Sequence, residues 1–216
     1  MLHRIFIRKM SLRDPTPSAL INALHETIRY DEYMNNVFGG RSMNLPQELT
    51  ENLAIQIIRV VEGTDMKWCK STQPPIPGDM YRDYCRVTYI RDEVNITPVR
   101  EFNELKFFSS MGPCTFGPTE KWDVIYFLDG LEYRNFNFKL YKISLANDSD
   151  EWKQLRVSRT QTFEDQASNG RRPRISFYSR SGPRRRRRTT SDISIKGQLG
   201  EHCQLIWEGD IRHLCN

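Results

Sequence analysis

Cysteine is scarce in this chain. There are five, Cys69, Cys85, Cys114, Cys203 and Cys215, an odd number with no C-x-x-C pair. That excludes a dense disulfide framework and fits free thiols in a reducing, cytoplasmic setting. Histidine is scarcer still, with four residues, and no Ser-His-Asp or Cys-His arrangement suggests acyl transfer. His202, Cys203, His213 and Cys215 gather near the end of the chain, but the adjacent His202 and Cys203 would diverge on a strand, so they read as ordinary residues. No glycine-rich phosphate loop is present, which argues against nucleotide hydrolysis. The longest apolar run, "VIYFL" at 124–128, is far too short to cross a bilayer, so no membrane is expected as a partner. The opening "MLHRIFIRKMSLRD" lacks the apolar core of a secretory signal. Residues 1–12 read as a flexible extension, with Met10 as an alternative start.

Acids are missing from one stretch. Residues 171–188, "RRPRISFYSRSGPRRRRR", hold nine arginines and neither Asp nor Glu, whereas the whole chain is only +5. The basicity is thus one segment on a mildly acidic body, a footprint that suits a polyanion. For Arg184–Arg188 a solvated, flexible tract fits as well, and residues 180–191 are expected to form a flexible arginine-rich segment.

The length, 216 residues, suits a single domain with a sizeable core. Asp14 and Pro15 signal the start of a helix in which Leu20, Ile21, Leu24 and Ile28 follow helical spacing up to Gly39-Gly40. A second helix runs through "LPQELTENLAIQIIRVVEG" to Gly63. The proline-rich "KSTQPPIPGD" then delivers the chain to Asp79. Strand patterns follow at 84–93, 97–108, 121–130 and 134–146, the third ending at Asp129-Gly130 in what reads as a hairpin. "SDEWKQLRV" fits a short helix or turn, and "RISFYS" and "CQLIWEGDI" fit late strands. The fold class is α+β or mixed α/β, with a mixed central sheet flanked by helices.

One strand carries chemistry. In "REFNELKFFSS" Glu104 and Lys106 share a face and Leu105 points to the other. A carboxylate and an ammonium beside Phe102, Phe107 and Phe108 must pair, bind a metal or shift in pKa. Asp79, at a loop-to-strand junction 25 residues upstream, can converge on Glu104 if the two strands are neighbours. Two carboxylates and the Leu105 carbonyl would then hold Mg²⁺, with Lys106 serving an attacking water, a workable site for phosphodiester hydrolysis. A surface ion pair is the plain alternative. Asp65 and Lys67 are a weaker rival, lacking a strand pattern around them.

The segments "GDMYRDY", "VREFNELKFFSSMGPCTFGPTEKWDVIYFLDG", "KLYKISL" and "EWKQLRVSRTQTFEDQASNGRRPRISFY", between about residues 45 and 178, resemble type II restriction endonucleases of the PD-(D/E)XK superfamily. The resemblance implies a restriction-endonuclease-like fold and Mg²⁺-dependent, site-specific cleavage of double-stranded DNA by a homodimer. It assigns metal binding to Asp79 and Glu104 and the attacking water to Lys106. Many members add a helix glutamate, for which Glu51 is the choice here and Glu48 the runner-up. Gly78 stands where the family has proline before the aspartate, a departure that touches no chemistry. DNA contacts are expected from Ser109 and Ser110, and from Gln161, Gln166, Asn169, Arg171, Arg172 and Arg174, a mix suited to phosphates and base edges. Trp122 and Trp152 are expected to pack rather than stack on bases. Two other readings stay open: a non-catalytic nucleic-acid-binding protein, and a repair or RNA-processing nuclease of the same fold.

Overall fold

A computed structural model describes residues 15–39, 44–63, 67–68, 84–91, 96–179 and 193–215, with only the backbone course at 67–68, 84–91, 96–100 and 215. Two helices come first, α1 (Pro17–Phe38) and α2 (Gln47–Glu62). Thr16 caps α1, its hydroxyl accepting from the Ala19 N–H at 3.2 Å, and Pro17 takes the first helical position. The start expected at Asp14-Pro15 therefore falls two residues on, because Thr16-Pro17 repeats the same capping chemistry. Asp14 itself lies outside the described residues. Gly39 and Gly63 end the two helices in left-handed conformations, φ 59° and 62°, where a side chain would be strained.

Eight strands follow: β1 (Lys67–Trp68), β2 (Tyr84–Arg91), β3 (Ile96–Phe108), β4 (Pro113–Thr115), β5 (Val124–Asp129), β6 (Asn137–Ile143), β7 (Arg174–Ser176) and β8 (Cys203–Asp210). Six form one sheet in the order β1-β2-β3-β5-β6-β8, and β4 pairs with β7 in a small second sheet. In the large sheet β3 and β5 run parallel and the other described pairs are antiparallel, so the mixed sheet expected from the sequence is present. Short helices α3 (Asp150–Lys153), α4 (Phe163–Ala167) and α5 (Ile195–Gln198) complete the fold. The β5–β6 pair forms at Asp129 as expected, but a 3-10 turn at Tyr133–Asn135 makes the connection longer than a tight hairpin.

β5 is buried at all six positions because both faces of the sheet are covered. Val124, Tyr126 and Leu128 join Leu24, Leu53, Ile57 and Ile58 of the long helices in one cluster. Ile125 and Phe127 join Phe116, Trp122, Trp152, Phe163 and Phe177 in the other. Trp122 and Trp152 are buried edge-to-face, ring centroids 5.3 Å apart, so they pack as the sequence suggested. β3 divides the same way. Leu105 belongs to the helix-side cluster with Phe107 packed against it, and Phe108 belongs to the opposite one. Phe107 is thus not on the Glu104–Lys106 face. At the end of β3 the chain of β5 comes close: the Gly130 N–H donates to the Phe108 carbonyl at 2.8 Å, and a Cβ at Gly130 would lie 2.5 Å from the Phe107 ring.

Candidate active site at the carboxyl end of β3

Alternation along β3 puts Glu104 and Lys106 on the face opposite Leu105. Parallel pairing with β5, Glu104 beside Ile125 and Lys106 beside Phe127, keeps this part of the strand in the middle of the sheet. Glu104 is 4% exposed, and Lys106 is largely covered. The two side chains form an ion pair. A second carboxylate, that of Glu120, also accepts from the Lys106 ammonium at 3.1 Å. The ring of Phe116 lies against the same ammonium, 5.3 Å to its centroid. Burial works against the charged form of Lys106, but Glu104 and then Glu120 outweigh it, and the lysine is held above its ordinary value.

A cavity of about 470 Å³ opens here, and its wall includes Glu51, Glu104, Lys106, Ser109, Ser110 and Glu120. Glu51 enters from α2, buried, with the Gln47 side-chain amide donating to its Oε1 at 2.5 Å. Glu48, one turn earlier, is exposed and does not line the cavity. The sequence reading prefers Glu51, with Glu48 second, and helical phase separates them: Leu49 and Leu53 face the core, Glu51 lines the cavity and Glu48 faces outward. Ser109 and Ser110 leave the strand at the cavity mouth, Ser110 exposed.

Asp79 lies outside the described residues, as do Asp65, residues 1–12 and Arg184–Arg188. The backbone of β2 begins at Tyr84, which pairs with Asn103, the neighbour of Glu104. Two aspartates, Asp79 and Asp83, stand just upstream of it in the sequence.

The other expected DNA contacts sit just before, on and after α4. Arg171, Arg172 and Arg174 are exposed. Gln166 and Asn169 are turned inward on their own segment: the Gln166 amide donates to the Gln161 Oε1 at 3.0 Å and the Asn169 amide to the Asp165 carbonyl at 2.6 Å. Gln161, Gln166 and Asn169 are thus partly engaged in shaping a capped turn, in which Thr162 and Asp165 exchange side-chain-to-backbone bonds. None of α4's polar residues lines the β3 cavity.

The cavity's charged donors are oxygens. Its one thiol, Cys114, is pushed up to about 11 by burial, with Lys106 only partly opposing, so it is protonated at neutral pH and no thiolate ligand. Carboxylates, a main-chain carbonyl and room for water suit a hard divalent cation such as Mg²⁺ better than zinc. Among the described residues no group of three or more His, Cys, Asp and Glu is gathered closely enough to hold a metal ion. Among the described residues, Glu104 and the Leu105 carbonyl are the groups that the sequence reading offers to such a cation.

Glu120 was not among the residues singled out from the sequence. "GPTE" reads as turn chemistry, and its sequence signal is limited to a Gly three residues before an acid. The lysine partner across the cavity is visible only in three dimensions.

The Bsp6I restriction endonuclease family model matches residues 14–181. The type II restriction enzyme Bsp6I of Bacillus sp. (strain RFL6) is 40% identical over 62 residues, 29% of this chain, and the chain spans about a third (34%) of the length of that curated relative. No solved structure matches the chain.

Proposed function

Since the chain belongs to the Bsp6I restriction endonuclease family, we propose that it is a type II deoxyribonuclease that hydrolyses phosphodiester bonds of double-stranded DNA at specific sites, with Mg²⁺, at the carboxyl end of β3. The observation that carries the reading is the convergence of Glu51, Glu104 and Lys106, from a helix and a central strand, on one polar cavity. A buried carboxylate–ammonium pair opening onto a cavity is costly to build for stability alone.

Asp79, Glu104 and the Leu105 carbonyl would hold the Mg²⁺, which supplies positive charge against the scissile phosphate and makes a water a better nucleophile. Lys106 remains an ammonium at neutral pH, so it donates hydrogen bonds to the attacking water or to the phosphate and does not take a proton. Charge that builds on the phosphate oxygens is thereby met by a cation already in place. Glu51, fixed by Gln47, is an acceptor at the cavity wall that can orient water. The Ser109 and Ser110 hydroxyls and the exposed Arg171, Arg172 and Arg174 would meet the duplex backbone. Gln166 and Asn169 would read base edges after giving up their internal bonds. A homodimer acting on both strands, in the cytoplasm, completes the proposal.

Plasmid incubated with the protein and Mg²⁺ should give discrete bands on a gel. A smear would point to a nonspecific repair or RNA-processing type of nuclease, and a mobility shift without cuts to a plain binder. Lys106→Ala and Glu104→Gln should each lower cutting by at least about 100-fold, with duplex binding in EDTA largely kept. Wild-type cutting by Lys106→Ala would defeat the site assignment. Asp79→Ala should behave like Glu104→Gln and Asp83→Ala should not; the reverse would move the metal ligand to Asp83.

A further inference from the structure

We infer that Glu120 is the positioning residue of Lys106, the counter-charge that keeps this ammonium in place when Glu104 turns towards a cation. The inference rests on the nuclease reading above and goes beyond it, to a residue outside the aspartate, glutamate and lysine that the reading uses.

Three observations build it. First, Lys106 has two carboxylate partners, Glu104 on its own strand and Glu120 at 3.1 Å from the connection to β5. One ammonium does not need two carboxylates, and the trio carries a net negative charge. Second, Glu120 is held in place by its main chain. Its N–H donates to the Gly117 carbonyl at 3.4 Å, and its own carbonyl accepts from the Asn147 amide at 2.9 Å. Asn147 also accepts from the Trp122 N–H at 3.2 Å, tying the turn to the buried aromatic cluster. Third, the side chain passes directly over a glycine. A Cβ at Gly117 would lie 2.9 Å from Glu120 Oε1 and 3.0 Å from its Cδ and Cγ. The turn has room for the carboxylate only because residue 117 has no side chain.

The chemistry follows from charge. A cation that takes up Glu104 competes with Lys106 for the same oxygens. A buried ammonium left without a counter-charge either neutralises or swings away. Glu120, at the far side of the ammonium and on a different segment, does not have to move when Glu104 does. Phe116, 5.3 Å away, limits where the lysine can go.

Two readouts test this on the full-length protein. The first needs neither metal nor DNA. With ¹³C-labelled lysine, the Lys106 ε-methylene signals, assigned by their loss in Lys106→Arg, are recorded at neutral pH. In wild type the two ε-protons should be inequivalent, as in a side chain held in one position, and in Glu120→Gln they should draw together as the ammonium is released. The second is steady-state plasmid cleavage. Glu120→Gln should lower kcat roughly 10- to 100-fold, as loss of a supporting partner typically does, and leave KM nearly unchanged. Glu120→Asp should restore part of the rate. Gly117→Ala, which displaces the carboxylate without removing it, should also lower kcat, and should add little on the Glu120→Gln background. The inference is overturned by a Glu120→Gln protein with unmoved Lys106 signals, or with wild-type kcat, or with a lowered melting temperature as its sole change. Wild-type protein that cuts nothing would remove the nuclease reading instead, and the lysine signals would still decide whether Glu120 holds Lys106 in place.

Discussion

Lys106 meets solvent with only 15% of its side chain, and its two carboxylate neighbours set its response to pH. Because its folded value is raised, the pairing stabilises the protein fully below the unfolded lysine value of about 10.4, and that stability is lost as pH rises further, through the folded value. No titration of Lys106 should therefore be seen between pH 7 and 9. Cleavage rates measured across that window should show no fall traceable to this lysine; a fall with rising pH that is absent from Lys106→Arg would show that the lysine loses its proton there and would overturn the reading of a permanently charged ammonium. Glu51 and Glu48 make a second test at this scale. Glu51→Gln should reduce plasmid cutting at least about tenfold and Glu48→Gln should leave it unchanged. The E-x-K pair was legible in the sequence because strand alternation is a local rule. The choice between Glu51 and Glu48 was not, since both sit on a regular helix and the strand end that buries one of them is some fifty residues away. Glu120 was less legible still, because its meaning depends on a partner fourteen residues back on another segment.

At the scale of elements, two polar ties anchor the long helices to the sheet and its connections. Glu62, the last residue of α2, accepts from the Tyr126 hydroxyl of β5 at 3.2 Å and from the Lys142 ammonium of β6 at 2.8 Å. Glu62→Gln should cost about 1–2 kcal/mol in a urea melt, the range for a partly exposed hydrogen-bonded charge. Asp31 of α1, 2% exposed, pairs with Arg134 in the turn between β5 and β6. Arg134→Ala removes the cation beside a buried carboxylate and should cost more, about 3 kcal/mol, in the same melt. Helices and strands were legible here from periodicity and from glycine stops at 39 and 63. Their boundaries were set by chemistry that recurs within a few residues, as Asp14-Pro15 and Thr16-Pro17 show. The turn at 133–135 was not legible, because Phe136 takes a left-handed conformation, φ 61°, that sequence patterns assign to glycine.

For the whole molecule, the basic segment makes a prediction of its own. If Arg184–Arg188 meet phosphates, replacing all five by glutamine should weaken duplex binding more at low salt than at high salt. The slope of log affinity against log salt should flatten by up to about four, near one for each phosphate no longer neutralised. An unchanged slope, measured by fluorescence anisotropy on a short duplex, would show that this run does not touch DNA. No described helix is long and apolar enough to cross a membrane. Fold class, and the strand whose Glu104 and Lys106 line the cavity, could be read from residue order. Pairing order could not, because the parallel step from β3 to β5 skips the strand between them in sequence.

That step has a consequence for how such a molecule can diversify. The chain that leaves β3 at Ser109 and re-enters the sheet at Val124 forms a wall of the cavity, through Ser109, Ser110, Cys114 and Glu120, yet contributes nothing to the six-stranded ladder. Its exposed positions, such as Ser110 and Met111, can be exchanged while the acid and the ammonium of β3 stay in register with their neighbours, whereas Phe116, Glu120 and Trp122 are tied to the core and to the lysine. Anchor and adaptable rim thus share one connection, and a change at its exposed edge leaves the carboxylate–ammonium pair where β3 puts it.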